Sequence, residues 1–134
     1  MFSILASRSF VVSLGIVMAS LCLTAAVPGP SLHLALRRSV PGKDSVLAVA
    51  PTAITLWFTA RPEMAVTTVS LLDASAARID LAKPRLDAAD ETEVIADVRG
   101  QLRPGIYRVV WKTSSHDGHA IRGEFSFALK PTAN

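Results

Sequence analysis

The residues best placed to do chemistry in this 134-residue chain lie in one stretch, Ser114-Ser115-His116-Asp117-Gly118-His119. On an extended strand, residues two apart project to the same face. Asp117 and His119 would then set a carboxylate and an imidazole side by side, with Gly118 leaving room between them, as a two-ligand edge for a cation. A turn at Asp117-Gly118 with His119 on the surface is the other reading of the same residues, and spacing does not choose between them. His116 would face away from Asp117 and reads as a solvated loop residue. Ser115, His116 and Asp117 also contain the residue types of a nucleophilic triad. Neighbours on an extended chain point apart, however, and a working triad is assembled from separate segments. The chain has no glycine-rich phosphate loop, no G-x-S-x-G elbow and no H-E-x-x-H helix.

Strands must carry that stretch. Runs of β-branched and aromatic residues fall at 54–58, 66–72, 78–81, 93–98, 106–112 and 124–129, separated by turn signals such as Arg61-Pro62, Asp73-Ala74-Ser75 and Arg103-Pro104-Gly105. The last run, Glu124-Phe125-Ser126-Phe127-Ala128-Leu129, alternates with period two. Six or seven strands at this spacing, without a long helical period, predict an all-β antiparallel sandwich. Only residues 86–90 could form a helical turn. Trp57 and Trp111 fall within apolar strands and are expected in the core. Tyr107 is expected at a sheet corner with its hydroxyl on backbone.

Half of the residues are hydrophobic, but much of that half lies at the amino end, where residues 10–27 carry no charge. With Arg8 before this run and Ala25-Ala26 after it, residues 1–26 read as a secretory signal. A membrane anchor of 18 residues would only just span. Cys22 is the only cysteine, and Leu21 before it does not fit a lipid-attachment signal. The exported domain therefore has no thiolate to offer a metal and no disulfide to brace it, which leaves His, Asp, Glu, Met and backbone or terminal nitrogen as ligands. The rest of the chain holds thirteen basic and eleven acidic residues, a formal charge of +2. That balance gives no clustered basic face for nucleic acid.

Across residues 33–131 the chain resembles the CopC family of small periplasmic copper-binding proteins. The resemblance rests on Tyr107, Val109 and Trp111, then Ser115, Asp117, Gly118 and His119, then Gly123, Phe125 and Phe127. At the other end it rests on His33, Leu36, Ser39 and Pro41, and on the Ala50-Pro51-Thr52-Ala53-Ile54-Thr55-Leu56-Trp57-Phe58 segment. It implies an immunoglobulin-like, cupredoxin-like Greek-key sandwich of about seven strands, preceded by a linker at 27–32. It also implies one Cu(II) ion held by His33, Asp117 and His119, a nitrogen and oxygen set that suits Cu(II). Where the family has Ser-Glu-Pro after its Phe strand, this chain has Thr59-Ala60-Arg61, with Glu63 nearby. Met64 is the only methionine beyond the leader, too few for the Cu(I) thioether loop of some family members.

The implied function is copper carriage in the periplasm, for resistance, sequestration or delivery to a CopD-like inner-membrane importer, by a soluble monomeric domain and not an enzyme. The competing classes are a metal-free sandwich used for docking and a copper-dependent oxidative enzyme of the polysaccharide monooxygenase kind. In the family His33 would be the first residue of the mature protein, lending both amine and imidazole. Here Leu32 and Pro30 make a poor peptidase site, and cleavage near Ala25 or Ala26 is expected. That cut would leave six or seven residues ahead of His33.

Overall fold

The computed structural model describes residues 33–131. The proposed leader and linker, residues 1–32, lie outside the described residues. Strands dominate because the sequence alternates. In β3 (Ala53–Phe58), Ile54, Leu56 and Phe58 are buried while Ala53, Thr55 and Trp57 are half-covered. In β8 (Gly105–Ser114), Tyr107, Val109, Trp111 and Thr113 point inward. In β9 (Ala120–Leu129), Phe125, Phe127 and Leu129 do the same.

Two sheets result. One joins β1 (Leu36–Val40), β3, β7 (Glu93–Asp97) and β6 (Arg85–Leu86), in the order β1-β3-β7-β6. The other runs β2-β9-β8-β4-β5, with β2 at Val46–Leu47, β4 at Thr68–Leu72 and β5 at Arg78–Ile79. Strands adjacent in sequence often lie in different sheets, so the chain crosses repeatedly between layers, as a Greek-key sandwich requires. The inner faces meet around Ile54, Leu56, Phe58, Val94, Val109 and Phe127. Phe58 and Trp111 join the layers edge to face, with ring centroids 5.4 Å apart. Tyr107 stacks on Phe127 across the β8–β9 ladder at 5.5 Å and donates its hydroxyl to the Arg103 carbonyl at 2.6 Å. The tyrosine does sit at a corner.

The structure departs from the sequence reading in several places. Among the described residues nine strands form, three of them only two residues long. The β2–β9 pair is parallel, in an otherwise antiparallel fold. Residues 86–90 hold no helical turn: Leu86 ends β6, and the Asp87 carboxylate instead accepts the N–H groups of Ala89 and Asp90. The one helical turn among the described residues is a 3-10 turn at Met64–Val66, which delays β4 to Thr68. Leu81 makes only an isolated bridge to Val98. Trp57 is not in the core. Because Leu56 and Phe58 face inward, alternation puts Trp57 outside, where the Arg38 guanidinium lies 3.6 Å from its ring centroid.

Phe127 is only 1% exposed. Phe127→Ala should therefore cost roughly 3–5 kcal/mol in chemical denaturation. Trp57→Ala should cost markedly less, because its ring leaves an outer face instead of a packed interior. Equal losses would contradict this assignment of faces.

Candidate metal centre

The β8–β9 hairpin turns over residues 115–119, between the last rung, Ser114 opposite Ala120, and its own internal bonds. Ser115 N–H donates to the His119 carbonyl at 3.1 Å, and Gly118 N–H donates to the Ser115 carbonyl at 2.9 Å. Gly118 has φ +86°, a conformation side chains resist. The segment is thus a turn and not an extended edge. Yet the turn itself brings the two candidate ligands together: His119 Nδ1 lies 2.8 Å from Asp117 Oδ2. The two readings that spacing left open describe the same loop.

Asp117 is the hub. The Ser115 hydroxyl and the His119 backbone N–H both donate to Oδ1, while Oδ2 faces the imidazole. These donors, the Ser115 hydroxyl foremost and then the His119 ring and amide, hold the carboxyl well below the usual carboxylate range. An ionised carboxylate only accepts, so the Nδ1 it faces carries the hydrogen, and the neutral ring keeps its lone pair on Nε2. Both side chains are open to solvent, His119 at 80% and Asp117 at 63%. The arrangement also disposes of the triad. Ser115 bonds the carboxylate and not an imidazole, and Asp117 pairs with His119 and not His116, so no base is placed to take a hydroxyl proton.

The pair fits a metal. Two donors about 2.0 Å from one ion in adjacent square-planar positions lie about 2.8 Å apart. That matches the observed Nδ1–Oδ2 separation, although an ion would sit off the line of the hydrogen bond and the ring would have to turn to meet it.

His33 is exposed, at the start of the described chain. Leu34 after it is buried in the core, and the Thr59 hydroxyl bridges the His33 carbonyl and the Ala35 N–H. Thr59 opens the segment that ends at Glu63, whose N–H donates to the Ser114 carbonyl beside the turn. Four residues span at most about 14 Å, so His33 and the Asp117–His119 pair are anchored at the same end of the sandwich. Among the described residues no three His, Cys, Asp or Glu side chains converge, so His33 is not gathered into one cluster with the pair. His116 is exposed and borders a separate cleft with Arg61, Glu63 and Met64.

Thr59 stood out in the sequence only as a departure from the family's Ser-Glu-Pro, and Thr67 and Thr113 belong to no motif. Thr67 and Thr113 share a buried hydroxyl contact of 2.7 Å, and Thr67 also bonds the Glu63 carbonyl, which fastens the 59–67 segment to β8 next to the turn. A buried inward threonine among apolar neighbours was the one visible signal.

The chain belongs to the CopC family: the CopC domain matches residues 36–130. Among solved structures, CopC from Methylosinus trichosporium OB3b is similar with a TM-score of 0.69 and 26% identity, over 76% of this chain and 98% of that one. PcoC, a methionine-rich copper resistance protein from Escherichia coli, is similar with a TM-score of 0.65 and 31% identity, over 73% and 99%. Protein YobA of Escherichia coli strain K12 is 28% identical over 110 residues, 81% of this chain and 89% of YobA. Copper transport protein CutJ of Bacillus subtilis strain 168 is 24% identical over 97 residues, 72% of this chain but only 18% of CutJ. Membership makes the function copper-related, in a family of binding proteins and not enzymes. No helix among the described residues is long and apolar enough to cross a membrane.

The depressed Asp117 pKa has a definite sign. A folded value below the unfolded one near ~3.9 adds stability that is complete above that value and is lost as pH falls towards the folded value. In the metal-free protein, the Asp117 carboxyl carbon shift should report protonation only below about pH 4. Movement at higher pH that tracks carboxylate titration would contradict the hydrogen-bond network.

Proposed function

We propose that the protein is an exported, periplasmic Cu(II) carrier that holds one ion on His33, Asp117 and His119. It sequesters that ion or passes it to a CopD-like inner-membrane protein. The observation that carries this reading is the 2.8 Å Asp117–His119 pair, held on a hydrogen-bonded turn in a chain of the CopC family. Two imidazoles and a carboxylate form the nitrogen and oxygen set that copper, at the top of the divalent affinity order, binds tetragonally. The exposure of the pair favours a cargo ion that must arrive and leave over a buried structural metal. Ligation through Nδ1 moves the neutral ring's hydrogen to Nε2 without net proton release. Acid, by protonating the imidazole, competes with copper, so binding weakens on acidification. Residues 1–26 act as the leader, and a start at residue 26 or 27 leaves His33 with its imidazole but without a terminal amine.

Titration of the exported protein with Cu(II) against a competing chelator tests the ligands. His119→Ala should weaken binding by about 100-fold or more, at least the upper range for losing an outer-shell partner, with the fold intact by circular dichroism. His116→Ala should leave binding unchanged. A larger effect at His116 than at His119 would overturn the assignment. Mass spectrometry should give a first residue of 26 or 27. A chain engineered to start at His33 should bind Cu(II) at least about tenfold tighter, because a free amine coordinates where a backbone amide does not readily deprotonate. Equal affinities, or a native start at His33, would contradict the reading of the amino end.

A further inference from the structure

The two sheets leave a slot open along one side. β1 is the outer strand of its sheet, and β9 is flanked by β2 only at Ala128 and Leu129. Between these edges lies a cleft of about 390 Å³, floored by Leu36, Trp111 and Phe125 and flanked by Arg37, Arg38 and Lys43. Gly123 lets the cleft exist in this form, because a Cβ there would meet Trp111 Cζ2 at 2.6 Å and push the indole out of place.

Two needs go unmet in this slot. The first is backbone. The Ser126 carbonyl accepts from Asp44 N–H, and Ala128 N–H donates to the Ser45 carbonyl, so the even-numbered residues of β9 aim their peptide groups towards the slot. The N–H and C=O of Arg122 and Glu124 point the same way, and among the described residues no strand pairs with them on that side. Such an edge is a template for an added strand.

The second is charge. Among the described residues Lys43 forms no ion pair, and Arg37 is within electrostatic reach of Asp90 without a salt bridge. Arg38 lies over Trp57, and Glu124, which also lines the slot, lies 3.9 Å from Arg108. The β-bulge at Leu36/Arg38 disturbs the β1 edge, which leaves β9 as the regular one.

We propose that the slot is a docking site for an extended acidic segment of a partner protein, added as a strand alongside β9 with its carboxylates facing Arg37 and Lys43. The unpaired edge selects an extended backbone, and the excess of cations selects Asp and Glu. The upper end of β9 runs into the turn that carries Asp117 and His119, so a partner seated there is delivered beside that pair. The proposal stands on the edge and the charges and does not depend on the copper reading.

An NMR titration of the exported protein with a short synthetic peptide alternating Glu with Val and Thr is the test. Shifts and slowed amide exchange should centre on Arg122 and Glu124. Affinity should fall at least about tenfold when salt rises from about 0.01 M to about 1 M, as screening shortens the electrostatic range. Arg37→Glu with Lys43→Glu should reduce affinity by a similar factor. Glu124→Pro removes one edge N–H that serves no internal ladder bond and should do the same. The charge-reversed pair stands as an independent arm if the proline variant does not fold. Equal binding of a peptide with Lys in place of Glu would overturn the proposal. So would shifts confined to another face, binding only to anionic vesicles, or self-association of the chain through the slot.

Discussion

The long ladder between β8 and β9, running from Gly105 opposite Leu129 to Ser114 opposite Ala120, governs most of what the molecule can do. Its register sends Tyr107, Val109, Trp111, Phe125 and Phe127 into the interior and sets the point at which the chain must turn. A slip of one residue would exchange every inward side chain for an outward one. The apolar core therefore fixes the register, and the register fixes the five residues left to close the hairpin. Within those five, Gly118 supplies the left-handed step, and the closure brings a carboxylate and an imidazole into contact. The candidate centre is thus a consequence of core packing several rungs away.

Electrostatics then sharpens what geometry supplies. Asp117 collects donors from Ser115 and from the ring and backbone of His119, which keeps it ionised and fixes the hydrogen on Nδ1. The pair therefore offers an ionised oxygen and an imidazole side by side in open solvent. On the other side of the same end, Leu34 and Thr59 pin the chain just after His33, while Thr67 and Thr113 bind the intervening segment to β8. Two separate parts of the sequence are therefore anchored at the same end of the sandwich, and among the described residues their side chains do not form one cluster.

Long, regularly alternating strands were legible in the sequence. The residues 106–112 and 124–129 lie within β8 and β9, and the Tyr107 corner is where its pattern predicts. What escaped was irregular or short. The bulge at Leu36/Arg38 breaks the alternation of β1, and the two-residue strands β2 and β6 are too short to show a pattern, whereas the return strand expected at 78–81 does form as β5. Trp57 shows the limit of composition: an aromatic ring in an apolar strand faces out when its neighbours face in, and Arg38 then covers it. At the centre, residue types pointed to Asp117 and His119, but only the hairpin reveals that the turn and the ligand pair are one feature. The supporting threonines carry no pattern of their own, because hydroxyl contacts between segments 46 residues apart are written in the fold.

Pulsed EPR of the Cu(II)-loaded exported protein tests most directly whether this turn is the copper site. Nitrogen coupling from two coordinated imidazoles is predicted for the native protein, with one lost in His119→Ala and an altered spectrum in Asp117→Asn. Spectra that are identical for the native protein and His119→Ala would contradict the account, because the copper would then sit away from the pair that the β8–β9 hairpin assembles.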